Sequence, residues 1–226
     1  MDTHVARFRI ENRSGSVRVR AEPGSGVEVN GGVIEPQEDG SVLVRGAKGG
    51  SKSLDVVVPE GADIVVGTAS GSVDVTGDVG IARVACKSGS IRIERANDVD
   101  ARTHSGSVTV GECEGECRAV VVSGSVQIDS AASASVAAVS GSVRVGEVDA
   151  AEVKTVSGTV VVGANATGHV RVKSVSGTVE VSVPDARSPE TRLKSMSGSI
   201  RCDCPQGEDG QIEIKTVSGT IRVLCR

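Results

Sequence analysis

The dipeptide Ser-Gly recurs at a nearly constant distance through most of this chain. Nine copies lie between Ser70 and Ser218, and the steps between them are 18, 17, 18, 17, 17, 19, 21 and 21 residues. A period near 20 residues is the signature of a solenoid, in which each repeat buries its apolar face only by stacking on its neighbours. An outlying copy lies at Ser14. The period predicts a single-chain stack of about nine rungs of 17–21 residues.

Apolar residues alternate on both sides of each Ser-Gly pair. In the repeat around Ser157, Val153 precedes the serine and Val160 follows it, each within a run of alternating positions. A period of two is typical of a strand with one buried face. Glycine adopts backbone angles that a Cβ forbids, so Ser-Gly is predicted to form the corner between two strands. We therefore expect an all-β β-helix, or β-solenoid, with positive φ angles at Gly158 and Gly177.

The composition agrees with a narrow interior. The 226 residues include 29 Gly, no Trp, no Tyr and a single Phe, although aromatic rings normally supply much of the buried area of a globular core. The net charge of −4 does not favour nucleic acid as a partner. The first residues lack the apolar segment of a signal peptide, and no apolar run reaches the length of a membrane helix. We expect a cytoplasmic protein that does not bind membranes.

The first sixty residues do not follow the period. They contain short apolar runs, such as "GVEVNGGVIE" and "SLDVVVPEG", which are separated by polar turns at hairpin spacing. Solenoids need a cap at their ends. The sequence therefore predicts an N-terminal β cap over residues 1–60, continuous with solenoid repeats over residues 61–226.

The segment "LDVVVPEGADIVVGTASGSVDVTGDVG", which begins at Leu54, is followed by repeated Ser-Gly-(Ser/Thr)-Val. It resembles the bacterial "putative adhesin" family of β-strand-repeat proteins, a domain of unknown function. The resemblance covers nearly the whole chain, and the Val-Pro-x-Gly element is its most specific part. It implies a β-helix or β-solenoid fold and an adhesin-like role.

Neither catalysis nor cofactor binding is indicated by the sequence. The nine serines of the corners cannot each be a nucleophile, and no His or acid recurs at a matching distance. His104 precedes one serine in a column otherwise filled mainly by valine, which gives it no acidic partner. We predict no catalytic residue, no metal site and no cofactor.

The six cysteines are predicted to be thiols, because a secretory context for disulfides is missing. Cys86, Cys117 and Cys202 occupy inward positions, where cysteine behaves as a small apolar residue. Cys204 and Cys225 each follow their serine by seven residues and should stack on adjacent rungs. The sequence leaves open whether these two are paired.

A column of lysines is the first candidate for a binding site. Three residues before the serine, on the outward side of the strand, stand Lys154, Lys173, Lys194 and Lys215. Stacked lysines repel one another unless an anion faces them. They form either a solvated charged face that blocks edge pairing, or a site for an acidic protein or another polyanionic macromolecule.

The last repeats are lengthened at one place, directly after their second strand. Insertions in solenoids often lie on the binding side. Asp185 and Arg187 in the loop "SVPDARSPET" are therefore added to the candidate partner-binding residues.

An apolar column precedes the corners. The residue before the serine is apolar from Val122 to Val217. If this column points outward, it is a hydrophobic stripe of the kind that marks interaction surfaces. If the corner turns it inward, it belongs to the core. Both alternatives stay open, and the core is favoured.

The end of the chain is predicted to present a free strand edge. No segment follows the final repeat, so Thr220, Ile221, Arg222 and Val223 should expose unpaired N–H and C=O groups. Such an edge templates pairing with another chain. We expect a closed homodimer through this C-terminal rung.

The function predicted from these patterns is that of a non-enzymatic, rigid β-solenoid which acts as a scaffold or an adhesin-like macromolecule-binding module. One alternative is a self-assembling structural protein that forms end-to-end dimers or filaments. Another is a carbohydrate-active β-helix enzyme, which would require a carboxylate pair and aromatic sugar platforms that do not recur in this sequence.

Overall fold

A computed structural model describes residues 6–24, 26–47, 53–164, 169–185 and 188–225. Every regular secondary-structure element among these residues is a β-strand, which confirms the predicted all-β class. The strands, in chain order, are β1 (Arg7–Ser14), β2 (Val17–Glu22), β3 (Glu28–Asn30), β4 (Gly32–Pro36), β5 (Val42–Gly46), β6 (Leu54–Pro59), β7 (Asp63–Ser70), β8 (Val73–Ser88), β9 (Ile91–Ser105), β10 (Val108–Ser123), β11 (Val126–Ala164), β12 (His169–Val183), β13 (Glu190–Ser197), β14 (Ile200–Cys202) and β15 (Gln211–Cys225).

The contacts of the chain divide it into two compact units, residues 1–114 and residues 115–226. The boundary near residue 60 that the sequence analysis drew, between a cap and the repeats, is a different division and stays a prediction.

In the first unit, the outlying Ser-Gly copy is a true corner. Strand β1 pairs in parallel with β7, with Ser14 opposite Ser70, and β2 pairs in parallel with β8. On their other side, β1 and β2 pair in parallel with β5 and β6. Among the described residues of this unit, antiparallel pairing is found for β4 with β5 and for β3 with β6. The hairpin spacing predicted for the first sixty residues is therefore wrong for β1 and β2, which are two sides of one rung.

In the second unit, the strands do not stack in chain order. Strand β11 pairs in parallel with β12, and β12 pairs in parallel with β15. The other side of β15 pairs in parallel with β13 and β14. The last strand of the chain thus lies between two strands that precede it, and β13 with β14 forms the outer rung.

This order corrects the predicted open edge. On one side, the four residues predicted to form the edge all pair with β12: Thr220 lies opposite Thr178, and the pairing continues to Val223. On the other side, β14 pairs with Ile221, Arg222 and Val223, and the hydroxyl of Ser199 lies 3.3 Å from that of Thr220. The strand Thr220–Val223 has partners on both sides, so the prediction of a free edge there is wrong.

The core is narrow and aliphatic. Val153, Val172 and Ile214 lie in register and are completely buried. The buried polar residues of the inward columns, Thr68, Thr103, Thr155, Ser174 and Thr216, are satisfied locally. Thr155, for example, donates from its hydroxyl to the carbonyl of Ser157 at 3.3 Å. Such bonds remove the cost of burying a hydroxyl beside the corner.

The corners require glycine, as predicted. The φ angles are +132° at Gly158 and +127° at Gly177. A Cβ at Gly158 would also overlap the backbone carbonyl of Gly141 in the adjacent rung. Both the backbone angle and the close approach of successive rungs exclude a side chain here.

The cysteines follow their predicted columns with one difference. Cys86 and Cys117 are buried, and Cys202 is half-buried because it lies on the outer strand β14. Cys204 lies just after β14 and Cys225 ends β15, so the two are close, as expected, but they form a disulfide with Cα atoms 5.3 Å apart. The prediction that all six cysteines are thiols is therefore wrong for this pair.

Candidate functional site

The four predicted lysines form one row on the second unit. Lys154 lies opposite Lys173, Lys173 opposite Lys215, and Lys215 opposite Lys194. All four side chains are exposed. Neighbouring strands lie about 4.8 Å apart, so the row concentrates positive charge along one line. We call these four residues the lysine row.

The side chains two residues before the lysine row alternate between negative and positive charge. In stacking order they are Glu152, Arg171, Glu213 and Arg192. The Nε atom of Arg171 lies 2.8 Å from an Oε of Glu213, which also forms an ion pair with Lys215. These acids offset part of the repulsion within the lysine row.

The pKa of the Glu213 carboxyl falls from 4.5 to about 2. The hydrogen bond from Lys215 is the largest cause, and the hydrogen bond from Arg171 acts in the same direction. The pKa of Glu152 is also lowered, chiefly by its hydrogen bond from Lys154, whose Nζ lies 2.9 Å away. Lys154 and Lys215 therefore already have acidic partners within the protein.

Lys173 and Lys194 differ from the other two lysines. Neither forms an ion pair with any residue that the structure describes. Both side chains are exposed beside an ion-paired neighbour. The lysine row thus combines two neutralised positions with two cations that are available to an external acid.

The apolar column before the corners points outward. It consists of side chains that are between 46% and 85% exposed: Val139, Val156, Val175, Val217 and Met196. We call these five residues the apolar stripe. The expectation that this column belongs to the core is wrong. Each member lies two residues after the lysine position of its strand, and side chains two residues apart lie on the same face of a strand.

The lysine row and the apolar stripe therefore lie side by side on one face of the second unit. The equivalent columns of the first unit carry a different chemistry. At the position that the lysine row occupies in the second unit, the first unit has Glu11, Gly67, Ala85 and Arg102. Sequence reasoning found both columns of the second unit but could not place them on the same face, because the direction of the corner residue was not known.

The predicted loop is described only in part. Asp185 lies in an exposed turn, and Arg187 is outside the described residues. At the end of this loop, the N–H of Ser188 donates to the Asp209 carboxylate at 3.0 Å, and the N–H of Asp209 donates to the Ser188 carbonyl at 3.0 Å. Two of the lengthened segments thus contact each other, whereas no contact of Asp185 with the lysine row is observed among the described residues.

Other kinds of site find little support in the part of the chain that is described. No group of three or more His, Cys, Asp or Glu side chains there could hold a metal ion. His104 is exposed on the first unit. None of the described residues belongs to a helix long and apolar enough to cross a membrane.

A further concavity lies where the outer rung meets its neighbours. It has a volume of about 670 Å³ and lies beside β12, β13 and β15. Its walls include three lysines of the row and two members of the stripe together with aliphatic residues of the outer rung: Lys173, Lys194, Lys215, Met196, Val217, Leu193 and Ile200. The same face therefore ends in an apolar groove with a basic rim.

In-register parallel strands, glycine corners and an aliphatic core define a β-solenoid. The chain belongs to the Toastrack DUF4097 family, whose model matches residues 3–224. This membership confirms the resemblance and the solenoid fold that the sequence indicated. No curated protein matches the chain.

Two solved structures are similar to this chain over most of their length. One is described as a "putative adhesin" from Bacteroides fragilis; it is 11% identical, covers 97% of this chain and 93% of its own, and has a TM-score of 0.47. The other is described as a "putative cell adhesion protein" from Clostridium sporogenes; it is 10% identical, covers 98% and 93%, and has a TM-score of 0.24.

Proposed function

We propose that this protein is a non-enzymatic, adhesin-like β-solenoid that binds an acidic partner protein. The binding face consists of the lysine row and the apolar stripe. The observation that carries the proposal is that these two features lie next to each other on the outward side of the same strands. A contiguous exposed apolar surface beside a charged border is typical of protein interaction sites.

The two halves of the face have different roles. Burial of the apolar stripe supplies affinity, at about 25 cal/mol for each Å² removed from water. Lys173 and Lys194 attract acidic groups and fix the orientation of the partner, which affects the association rate and its salt dependence. A polyanion without apolar groups would leave the stripe in water, so the chemistry favours a protein over a simple polyanion.

The solenoid acts as the scaffold of this face. Each rung is hydrogen-bonded to its neighbour in register through the strands β11, β12, β15 and β13. The columns therefore hold their side chains at a fixed spacing without a contribution from loops. A preorganised surface of this kind loses little conformational entropy when it binds.

Localisation in the cytoplasm stays a prediction. The Cys204–Cys225 disulfide favours an oxidising compartment instead, because reducing systems keep cytosolic thiols unpaired. The proposed binding face does not depend on the compartment, since no member of the lysine row or apolar stripe is a cysteine.

The proposal is tested by photo-crosslinking in native cell fractions. A photoreactive amino acid replaces Val175 in the middle of the stripe, and a matched variant carries it at Val161, on the strand after the corner. Val175 should give a specific cross-linked product that contains an acidic protein, and Val161 should not. Identical products from both positions would contradict the proposed face.

The partner identified in this way is then purified and its affinity measured. The substitution Lys173→Glu should weaken binding by at least about tenfold at low ionic strength, and less at high salt, because exposed charges are screened over roughly 10 Å at 0.1 M. The control Arg144→Glu makes the same change of charge on another exposed column. Equal effects of the two variants would show that only net charge matters.

A further inference from the structure

The outer rung of the second unit leaves core positions uncovered. Ile200 is 45% exposed, whereas Ile221, which lies opposite it on β15, is completely buried. Leu193 is half-exposed, whereas its neighbour Ile214 is completely buried. These residues occupy inward columns that the next rung covers elsewhere in the unit. Among the described residues, no further rung covers them.

The backbone of this rung also has a free side. The N–H of Glu190 donates to the carbonyl of Gly210 at 2.9 Å, and the N–H of Asp203 donates to that of Val223 at 2.9 Å. Both bonds point toward β15. Successive residues of a strand direct their N–H and C=O groups to opposite sides. The backbone groups of Leu193, Ser195 and Ile200 therefore point away from β15.

Only the beginning of this free side is protected. The backbone N–H of Thr191 donates to the side-chain carbonyl of Gln206 at 3.4 Å. From Leu193 onward the described residues supply no such partner. The buried hydroxyl of Ser195 is also unpartnered, whereas the equivalent Ser174 donates to the carbonyl of Ser176 at 3.2 Å. The edge is thus closed at its start and open along the apolar groove.

The charged side chain beside this edge that lacks an ion pair is a cation. Arg192 and Arg201 are neutralised by ion pairs with Glu190 and Asp203, at 2.8 and 3.0 Å. Lys194 has no acidic partner among the described residues and lies on the rim of the groove. An incoming strand would meet one available cation between two neutralised arginines.

We propose that this edge binds an extended acidic segment of a partner protein by strand addition. The segment continues the stack as one more strand on β13. Its backbone bonds the free groups of Leu193 and Ser195, its apolar side chains cover Leu193 and Ile200, and a carboxylate lies beside Lys194. Strand addition combines backbone hydrogen bonds with alternating side-chain pockets in this way. The proposal rests on the proposed function, because Lys194 and Met196 belong to both surfaces.

A second copy of the chain is less suited to this edge. A two-fold antiparallel pairing of β13 centred on Leu193 places Arg192 opposite Lys194, and one centred on Lys194 places Lys194 opposite itself. Like charges directly opposite each other in a sheet are destabilising. A partner segment with glutamate or aspartate at the outward positions avoids this repulsion.

The test uses a defined probe, the capped peptide Glu-Val-Glu-Val-Glu-Val-Glu-Val with a fluorescent label. Anisotropy should show saturable binding to the full chain, and hydrogen exchange should slow at the amides of Leu193 and Ser195. A peptide with N-methyl groups on alternate residues should bind at least about tenfold more weakly, because its backbone donors on one edge are removed. Equal binding of both peptides would overturn strand addition.

A pair of variants tests the edge itself. Proline at Ser195 removes a backbone donor on the free side, and edge positions of this kind tolerate proline. We expect Ser195→Pro to weaken the peptide at least about tenfold and Ser195→Ala less than about twofold, with the melting temperature recorded for both. If Ser195→Pro has lost its stability, Lys194→Gln gives a second reading: it should weaken the acidic peptide and reduce its salt dependence.

Light scattering of the free protein completes the test. A dimer in which the amides of Leu193 and Ser195 are protected without peptide would show that a second copy occupies the edge, and would overturn the proposal. The proposed function and the strand-addition proposal can be contradicted by different results. If Lys173→Glu leaves the affinity of the cross-linked partner unchanged while the peptide still binds at β13, the face is wrong and the edge stands. If the variant weakens the partner but the peptide does not bind, the edge is wrong.

Discussion

Glycine at the corner meets two separate requirements. The positive φ of Gly158 lies in a region that residues with a Cβ rarely adopt, and the adjacent rung approaches it closely through the carbonyl of Gly141. The first requirement is local and the second comes from stacking. A repeat could satisfy one without the other, which explains why serine or threonine surrounds the corner but does not replace its glycine.

Replacing Gly158 by alanine should destabilise the protein by about 1–3 kcal/mol, because the new Cβ is strained at this φ and overlaps the Gly141 carbonyl. The measurement is urea unfolding followed by circular dichroism. Gly67→Ala is the matched control, since a Cβ there meets no atom within 4 Å. Equal midpoints for the two variants would mean that the corner has ordinary strand geometry.

Glu213 should make stability depend on pH in the acid range. Its pKa is about 2 in the folded protein and near 4.5 in the unfolded chain, so the carboxylate stabilises the fold above pH 4.5. This contribution is lost progressively as the pH falls from 4.5 to 2, because the folded state resists protonation. Unfolding midpoints of the wild type should therefore fall more steeply over this range than those of Glu213→Gln.

The exposed Glu147 serves as the control for this measurement. Glu147→Gln removes an acid outside the alternating column, so its pH profile should keep the steep wild-type decline below pH 4.5. A Glu213→Gln profile that runs parallel to the wild type would show that Lys215 and Arg171 do not hold this carboxylate in solution.

At the scale of elements, the main finding is the position of β15 between β12 and β13. The inward residues of β15 include Ile212, Ile214 and Ile221, whereas β13 places Thr191 and Ser195 at inward positions. The more apolar strand therefore takes the interior place and the more polar strand takes the edge. This distribution lowers the cost of an uncovered rung, since less apolar surface stays in water.

The same order improves the electrostatics of the outward face. In stacking order, the column beside the lysine row alternates as Glu152, Arg171, Glu213 and Arg192. Stacking in chain order would have placed Arg171 directly beside Arg192. Opposite charges on neighbouring strands stabilise a sheet, and like charges destabilise it.

Truncation of two equivalent residues tests this strand order. Ile214→Ala should destabilise the protein by about 2–5 kcal/mol, because it opens a cavity between two rungs. Leu193→Ala, at the neighbouring position of the outer rung, should cost clearly less, because its side chain is already half-exposed. Chemical denaturation of both variants gives the comparison. A larger loss for Leu193→Ala would mean that β13 is the interior strand.

At the scale of the whole molecule, the candidate site is confined to one of the two units. The first unit has the same corners and the same parallel register, yet its equivalent outward columns lack both the lysine row and the apolar stripe. The fold is thus shared along the chain while the binding chemistry is local. This separation is common in repeat proteins, where inward positions maintain the stack and outward positions can vary.

The Cys204–Cys225 disulfide makes the redox state of the protein's compartment testable. Protein prepared without reductant and then denatured should react with four equivalents of a thiol reagent, and with six after reduction, because Cys86, Cys113, Cys117 and Cys202 carry thiols outside the Cys204–Cys225 disulfide. The Cys204→Ser variant should be less stable by about 2–4 kcal/mol under non-reducing conditions. Six reactive thiols before reduction, in protein from its native source, would support the cytoplasmic prediction instead.

The sequence by itself determined the repeat, the strands of each rung, the glycine corners and the column that each residue occupies. These depend on local periodicity and on backbone angles, which are determined by residues that are close together in the sequence. The lysine row could be predicted for the same reason, since a fixed distance from the corner selects one side of a strand.

Only the tertiary structure decided which rungs are neighbours and which one is left at the edge. Parallel strands of similar length and pattern can stack in more than one order, and the choice depends on long-range burial and charge that no single repeat contains. This is why Thr220–Val223 was expected at the edge although β13 and β14 occupy it. The direction of the apolar stripe was decided in the same way, because the corner angle is fixed by the close contact of successive glycines across the stack.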